Sequence, residues 1–206
     1  DLYDSFYAGR NAHRRLDYIR EMASWAEAHG KMMGIQANPG SLRNCPFHTF
    51  HNNLHGHNRM GLSAAAEKFG FTNFLCRTVF ERGEYEEFMR AIWIRPEDLP
   101  LYEPYVGVVK LATRRHPHPD KIIAAYAECS YDGDLAEIMD PFYRFPKSID
   151  NKALGASSLW PKVRDCVNAD NCRHCGMCAD LFKVAAKDRS EAGDSMSDSF
   201  KGFFKG

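Results

Sequence analysis

Cys172-Arg-His-Cys175-Gly-Met-Cys178 sets three thiols at C-x2-C-x2-C spacing, and Cys166 stands six positions upstream. Two-residue gaps let a turning backbone aim successive sulfurs at one centre, the way iron–sulfur clusters and structural zinc are gripped. The carboxyl-terminal part of the chain must therefore wrap such a centre or leave its thiols idle. The run opens like the bacterial ferredoxin pattern, whose fourth thiolate comes from elsewhere. Here Ala-Asp-Leu-Phe follows Cys178 in place of a further Cys-Pro, so a fourth ligand must come from Cys166 or a distant cysteine. A [4Fe–4S] cluster is the expected occupant and zinc the alternative; idle thiols or a disulfide set are the bland reading. Seven cysteines are an odd number, which a complete disulfide framework cannot absorb. Clustered thiols without a secretory signal predict a reducing, cytoplasmic setting.

Upstream, hydrophobic period replaces cysteine spacing as the guide. Leu16, Ile19, Met22, Ala23 and Ala26 fall on one face of a helix predicted over 12–29, and Gly30 is placed to end it. The apolar run Lys31–Ala37 reads as a strand, running into a loop at Asn38-Pro-Gly-Ser41. Helix, glycine stop, strand and loop is the rhythm of α/β folds with parallel strands. It returns with a short helix over Pro96–Tyr102, a buried strand over Tyr105–Ala112, and a helix over Pro119–Glu128 with Ile122, Ile123 and Tyr126 inward. From Asp140 to Pro161 the pattern dissolves, and a short helix is predicted near Leu181 to Lys187. The tail from Ser190 is polar and predicted to be disordered, with Phe200, Phe203 and Phe204 available to dock on a surface. Formal net charge is zero, with 27 basic and 27 acidic side chains, which argues against nucleic-acid binding through bulk charge. No apolar run reaches the roughly 18 residues of a membrane span.

A second concentration of ligand-type residues follows the first predicted strand: Cys45, His48, His51, His55 and His57. The carboxyl end of a parallel strand is where α/β folds place chemistry, and histidines there supply metal ligands and proton carriers. His51 and His55 share a face if the segment is helical; the bland reading is a His-rich surface helix. Cys76, amid apolar neighbours, reads alone as a core cysteine. Arg95, Glu97 and Asp98 suit either a helix start or substrate binding, with capping the favoured role for the acids. Lys110 and Arg114, at the end of a predicted strand, suit either an anion or solvated salt bridges. Nothing matches a Gly-rich phosphate loop, a Ser-His-Asp signature or the H-E-x-x-H helix.

Taken in order, these segments resemble the collagenase-like peptidase U family of iron–sulfur proteins, which includes ubiquinone-pathway, tRNA and ribosomal RNA hydroxylation proteins. Asn38-Pro-Gly-Ser41, Cys45-Pro46-Phe47 with His51 and His57, and Ile94-Arg-Pro-Glu-Asp-Leu99 carry the likeness. Lys110-Leu-Ala-Thr-Arg114, Ala125-Tyr126 with Tyr131-Asp-Gly-Asp-Leu135, and Ile149-Asp-Asn-Lys-Ala-Leu154 extend it. Pro39 and Ser41 stand where the family has Glu and Cys, which removes one expected ligand. The resemblance implies Cys45 and Cys76 as cluster ligands completed by the carboxyl-terminal cysteines; Cys172, Cys175 and Cys178 with one of Cys45, Cys76 or Cys166 make an equally complete set. It also implies oxygen-independent hydroxylation of an RNA base or aromatic ring, with His51 and His57 moving protons and Lys110 and Arg114 holding an anion. Peptidase activity is not expected, because no nucleophile–base pair is in sight. The implied fold is a partial (β/α) TIM-type barrel over 1–140, then a cysteine-rich metal-binding extension over 141–189 and a disordered tail over 190–206. A whole barrel takes about 250 residues, so its first strands are expected to be missing or to come from a partner chain. A non-catalytic, metal-bearing subunit of a larger assembly is the alternative.

Overall fold

The amphipathic stretch becomes helix α1 (Leu16–Ala28), with Ile19 and Ala26 buried and Leu16, Met22 and Ala23 partly buried against the core. Its end is set by Gly30 at φ +62°: Lys31 N donates to Ala26 O at 2.8 Å and Gly30 N to Glu27 O at 3.1 Å. That double closure, with a left-handed residue after the last turn, is the reason glycine is needed there. The molecule is seen as a computed structural model describing residues 3–51, 53, 75–114, 116–140, 146–166 and 172–189, with the side chains at 75, 77, 81, 172 and 173 outside that description.

Strand β1 (Ser5–Tyr7), β2 (Met32–Gln36) and β3 (Val108–Lys110) form a parallel sheet in the order β1-β2-β3, with Tyr7, Gly34 and Val108 in register. β2 lies inside the strand expected over 31–37. β1 was not anticipated, since three residues are too few for a period to be read. β3 is shorter than the expected strand and is half open rather than buried. Alternation along the strands divides the sheet into two faces. Phe6, Met33, Ile35 and Val109 face the core. Tyr7, Met32 and Val108 face outward and are 52%, 45% and 36% exposed. Parallel sheets normally have both faces covered; among the described residues, the outward face has Tyr7, Met32 and Val108 left open.

The following elements lie around this sheet. Helices α2 (Leu75–Glu81) and α3 (Glu87–Arg90) precede a 3-10 helix at Pro96–Leu101, where the short helix was expected. α4 (Pro119–Ala127) buries Ile122, Ala125 and Tyr126, and the Tyr126 hydroxyl donates to Ile94 O at 2.7 Å. Ile123, expected inward, is exposed: one turn-step from Ile122, it rotates off the single face that this short helix packs. Residues 146–161 are more regular than their sequence announces. β4 (Lys147–Ile149) leads to α5 (Asn151–Ala156), which is N-capped by Asp150 accepting from Ala153 N at 2.9 Å, and then to α6 (Trp160–Arg164). After α7 (Cys172–Cys175) and α8 (Met177–Ala185), strand β5 (Ala186–Asp188) pairs antiparallel with β4. One connected set of buried side chains includes Ile35, Trp93 and Leu135 together with Leu154, Trp160 and Leu181, so the core runs continuously across residue 140. The architecture is mixed α/β, and the described strands do not close into a barrel. No helix among the described residues is long and apolar enough to cross a membrane. The predicted tail, including Phe200, Phe203 and Phe204, lies outside the described residues.

Arg95, Glu97 and Asp98 do not cap the 3-10 helix, whose N-terminus has no side-chain cap. They instead tie it to later segments. Arg95 Nε donates to Asn151 Oδ1 at 2.8 Å, and Asn151 Nδ2 donates to Glu97 Oε1 at 2.8 Å and Tyr131 O at 2.6 Å. Arg95 and Glu97 also pair at 3.2 Å, while Asp98 accepts from Trp160 Nε1 at 3.0 Å. Arg95 and Asp98 are buried, and a buried charge must be paired. Burial raises the Asp98 carboxyl above its ordinary range, against the pull of Arg95 and Arg164.

Candidate functional site

Gly176, at φ +70°, turns the chain between Cys175 and Cys178 and starts α8, which buries Leu181 and Ala185. α8 packs on α3, so Cys178 comes up against Arg90 at the end of that helix. Burial pushes the Cys178 thiol up; the Arg14 and Arg90 charges and a hydrogen bond with Arg90 pull it down, and Cys166 pushes it up again. The Cys178 thiol thus lies in the field of two guanidinium groups. A third arginine reaches the Cys166 backbone from the other end of the chain: Arg43 Nη1 donates to Cys166 O at 3.1 Å across 123 residues. Arg43 lies in the loop beyond the carboxyl end of β2, where parallel folds gather functional groups.

Arg14 is the most constrained of these. It is buried, its Nε donates to Trp93 O at 3.3 Å, and its Nη1 donates to Met89 O at 2.6 Å. Its guanidinium lies over the Trp93 ring at 4.4 Å and the Trp160 ring at 5.5 Å. Its Nη2 is buried without a hydrogen-bond partner. Desolvation lowers it to about 10, and Cys178 is the strongest charge acting the other way. Arg14 therefore stays protonated near neutral pH. Beside it His13 is wholly buried, its ring set against the backbone of Ala8 and Ile92 without a well-formed hydrogen bond, and burial lowers it to about 4.

The expected site residues divide as follows. Cys166 and Cys178 are both half-buried, and the charge of Cys166 reaches Cys178. Cys175 is exposed at the end of α7, and the Cys172 side chain lies outside the described residues. Cys45, half-buried, follows Arg43 by two residues and Asn44, whose backbone N–H donates to Asn11 Oδ1 at 3.1 Å with φ +54°. Cys76 sits on α2, partly buried against the core. His51 is half-buried on a helical turn that begins at 48, and its charge joins burial and Arg10 in lowering His48. His55 and His57 lie outside the described residues. Lys110 is exposed on the outward sheet face, its ammonium 5.8 Å from the Tyr7 ring, and Arg114 is exposed four residues on. Among the described residues, no three His, Cys, Asp or Glu side chains gather as a metal site.

Sequence reasoning missed Arg14, Arg43 and Arg90. Arg14 sits in His13-Arg14-Arg15 just before a helix, where charges are usually solvated, and no period marks it as inward. The partial signal was tryptophan. Two of the chain's three, Trp93 and Trp160, form the stack at 5.4 Å on which Arg14 lies.

A thiolate-bound iron–sulfur cluster carries negative charge. The thiol of Cys178 and the arginines whose charges reach it agree with such a group in donor type and sign, but the described residues assemble no ligand set for it. Zinc bound by thiolates meets the same description. No family model matches the chain, and no solved structure matches it. The chain is similar to a protein of Methanocaldococcus jannaschii named as an uncharacterized protease. Identity is 27% over 183 residues, covering 84% of this chain. The chain spans about half the length of that relative, 51%.

Proposed function

We propose that this chain is an iron–sulfur protein of the collagenase-like peptidase U family, built on part of a (β/α) barrel and supporting oxygen-independent hydroxylation of an RNA base or aromatic ring. The C-x2-C-x2-C spacing, together with the charges of Arg14, Arg90 and Cys166 that reach Cys178, supports the cluster reading. The hydroxylation chemistry rests on the sequence resemblance alone. Cys166, Cys172, Cys175 and Cys178 would hold the cluster, with Cys45 or Cys76 as substitutes. When bound, the group supplies one-electron chemistry. The chain's own residues do the rest: the arginines hold negative charge in place, Lys110 and Arg114 bind an anionic substrate group, and His51 and His57 carry protons. Anaerobic reconstitution is expected to give about four irons and four sulfides per chain, with Cys178→Ser losing most of both. A full complement of zinc with no iron taken up defeats this reading.

The sheet face left open among the described residues favours a second reading, a non-catalytic cluster- or zinc-bearing subunit. Tyr7, Met32 and Val108 there suit strands from a partner chain that would complete the barrel. A monodisperse monomer in light scattering, together with substrate turnover, argues for the enzyme. Stable co-purification with one partner, and no turnover, argues for the subunit.

A further inference from the structure

Resting on the anion-holding role given to Lys110 above, and independent of any cluster, we propose that the outward sheet face is a platform for a planar aromatic ligand carrying a carboxylate or phosphate. The ligand ring stacks on Tyr7, and its anionic group meets Lys110 and Gln36. Glycines make the floor of this platform. A Cβ on Gly34 would stand 2.7 Å from Tyr7 Cε1 and 3.0 Å from Tyr7 Cδ1, so the tyrosine ring lies across the neighbouring strand, and only glycine leaves it room. A Cβ on Gly107 would likewise stand 2.6 Å from both Cγ and Sδ of Met32. Glycine in a strand often marks such a close approach. Side chains laid down in this way present a surface instead of filling a core, and Tyr7, Met32 and Val108 stay open among the described residues.

This face is polar at one end. Two residues beyond Gly34 and Val108, Gln36 and Lys110 stand in register at the carboxyl ends of β2 and β3, and alternation puts both on the Tyr7 side. The Lys110 ammonium is 5.8 Å from the Tyr7 ring centroid, and among the described residues no carboxylate pairs with it. Helix α1 takes the opposite face, where Trp25 meets Phe6 edge-on at 6.0 Å, and so does not compete for this one. A purely apolar ligand would leave the ammonium unanswered, and a purely anionic one would leave the floor wet. An aromatic anion answers both, by ring stacking and by a charge-assisted hydrogen bond. Its charged group would sit at the carboxyl ends of the strands, where open parallel sheets bind ligands.

The test uses the full chain in isothermal titration calorimetry, with naphthoate, adenosine monophosphate and the neutral naphthalenemethanol as probes. Naphthoate or adenosine monophosphate is expected to bind at a single site, the tighter of the two telling carboxylate from phosphate, and the neutral probe more weakly. Tyr7→Leu keeps an apolar side chain without the ring, and is expected to weaken binding about tenfold. Lys110→Gln is expected to weaken the anionic probes about threefold at low salt and to leave the neutral one unchanged. No binding, or binding that both variants leave unchanged, overturns the inference. A dimer in light scattering that Tyr7→Leu dissolves, with no probe bound, also overturns it and puts a second copy on this face. Should a variant fail to fold, nuclear Overhauser contacts between naphthoate and the Tyr7 ring of the wild-type chain decide: their presence supports the platform, and their absence overturns it. Binding without iron uptake removes the cluster reading alone, and iron uptake without binding removes this inference alone.

Discussion

Asn151 is the residue whose loss should be felt most widely. It is fully buried, accepts from Arg95 Nε at 2.8 Å, and donates to Glu97 at 2.8 Å and to the Tyr131 carbonyl at 2.6 Å. Asn151→Ala leaves a buried guanidinium, a carboxylate and a carbonyl each short of a partner. Hydrogen bonds to charged groups contribute about 1.5–3 kcal/mol each, and breaking a buried charged network costs about 3–5 kcal/mol in all. The contributions are not additive, so a loss of about 4 kcal/mol is expected, a large share of the roughly 5–15 kcal/mol that holds a domain folded. Urea denaturation followed by far-UV circular dichroism reads this as a lower midpoint at unchanged slope. Thermal melting should fall by roughly 8–16 °C for a chain of this size. Pairing the change with Glu97→Gln should give a coupling above about 1 kcal/mol, since the two groups share a bond. A loss under 1 kcal/mol, or strict additivity of the pair, would show that water or rearrangement replaces these bonds and that the network is not what joins the segments.

His13 makes a pH-dependent contribution of definite sign. Burial holds its folded value near 4, below the ordinary 6.5, so its stabilising share is complete above about pH 6.5 and is lost as pH falls toward 4, by about 3 kcal/mol at most. His13→Gln should flatten that limb of a urea-midpoint profile, and an NMR titration of the His13 ring centred above pH 6 refutes the assignment. Gly155 lies under the Arg95 guanidinium, where an added Cβ would stand 2.4 Å from Nη2 and 2.7 Å from Nη1. Because that guanidinium is pinned by Asn151 and Glu97, Gly155→Ala should destabilise by about 1–3 kcal/mol despite the better helix propensity of alanine; a higher melting temperature would contradict it.

These perturbations bear on what the sequence resemblance meant. The segments Ile94–Leu99, Tyr131–Leu135 and Ile149–Leu154 drew notice as motifs, and in space they meet. Arg95 and Glu97 of the first, Tyr131 of the second and Asn151 of the third share one network, and Asp134 accepts from Ile149 N at 2.8 Å. Their polar residues stand out in sequence because each must satisfy a buried partner. That makes them supports of the fold rather than reacting groups. Long-period features were legible from sequence: α1 with its Gly30 stop, β2, and α4. Three-residue strands such as β1, β4 and β5 were not, because their pairing depends on distant partners rather than on a local pattern. At the candidate site, cysteine spacing advertised the thiols, while the arginines whose charges reach Cys178 were hidden. A guanidinium buried by two tryptophans from remote parts of the chain leaves no local trace.

The bond from Arg43 to the Cys166 carbonyl joins positions 123 residues apart. During synthesis the loop after β2 leaves the ribosome well before the polypeptide that completes its surroundings. Closing so long a separation is a slow, late event, so this contact forms only once nearly the whole described chain has arrived. A shortened product could retain α1 and β2 yet have nothing for Arg43 to hold, which makes this contact a built-in record of whether translation and folding went to completion.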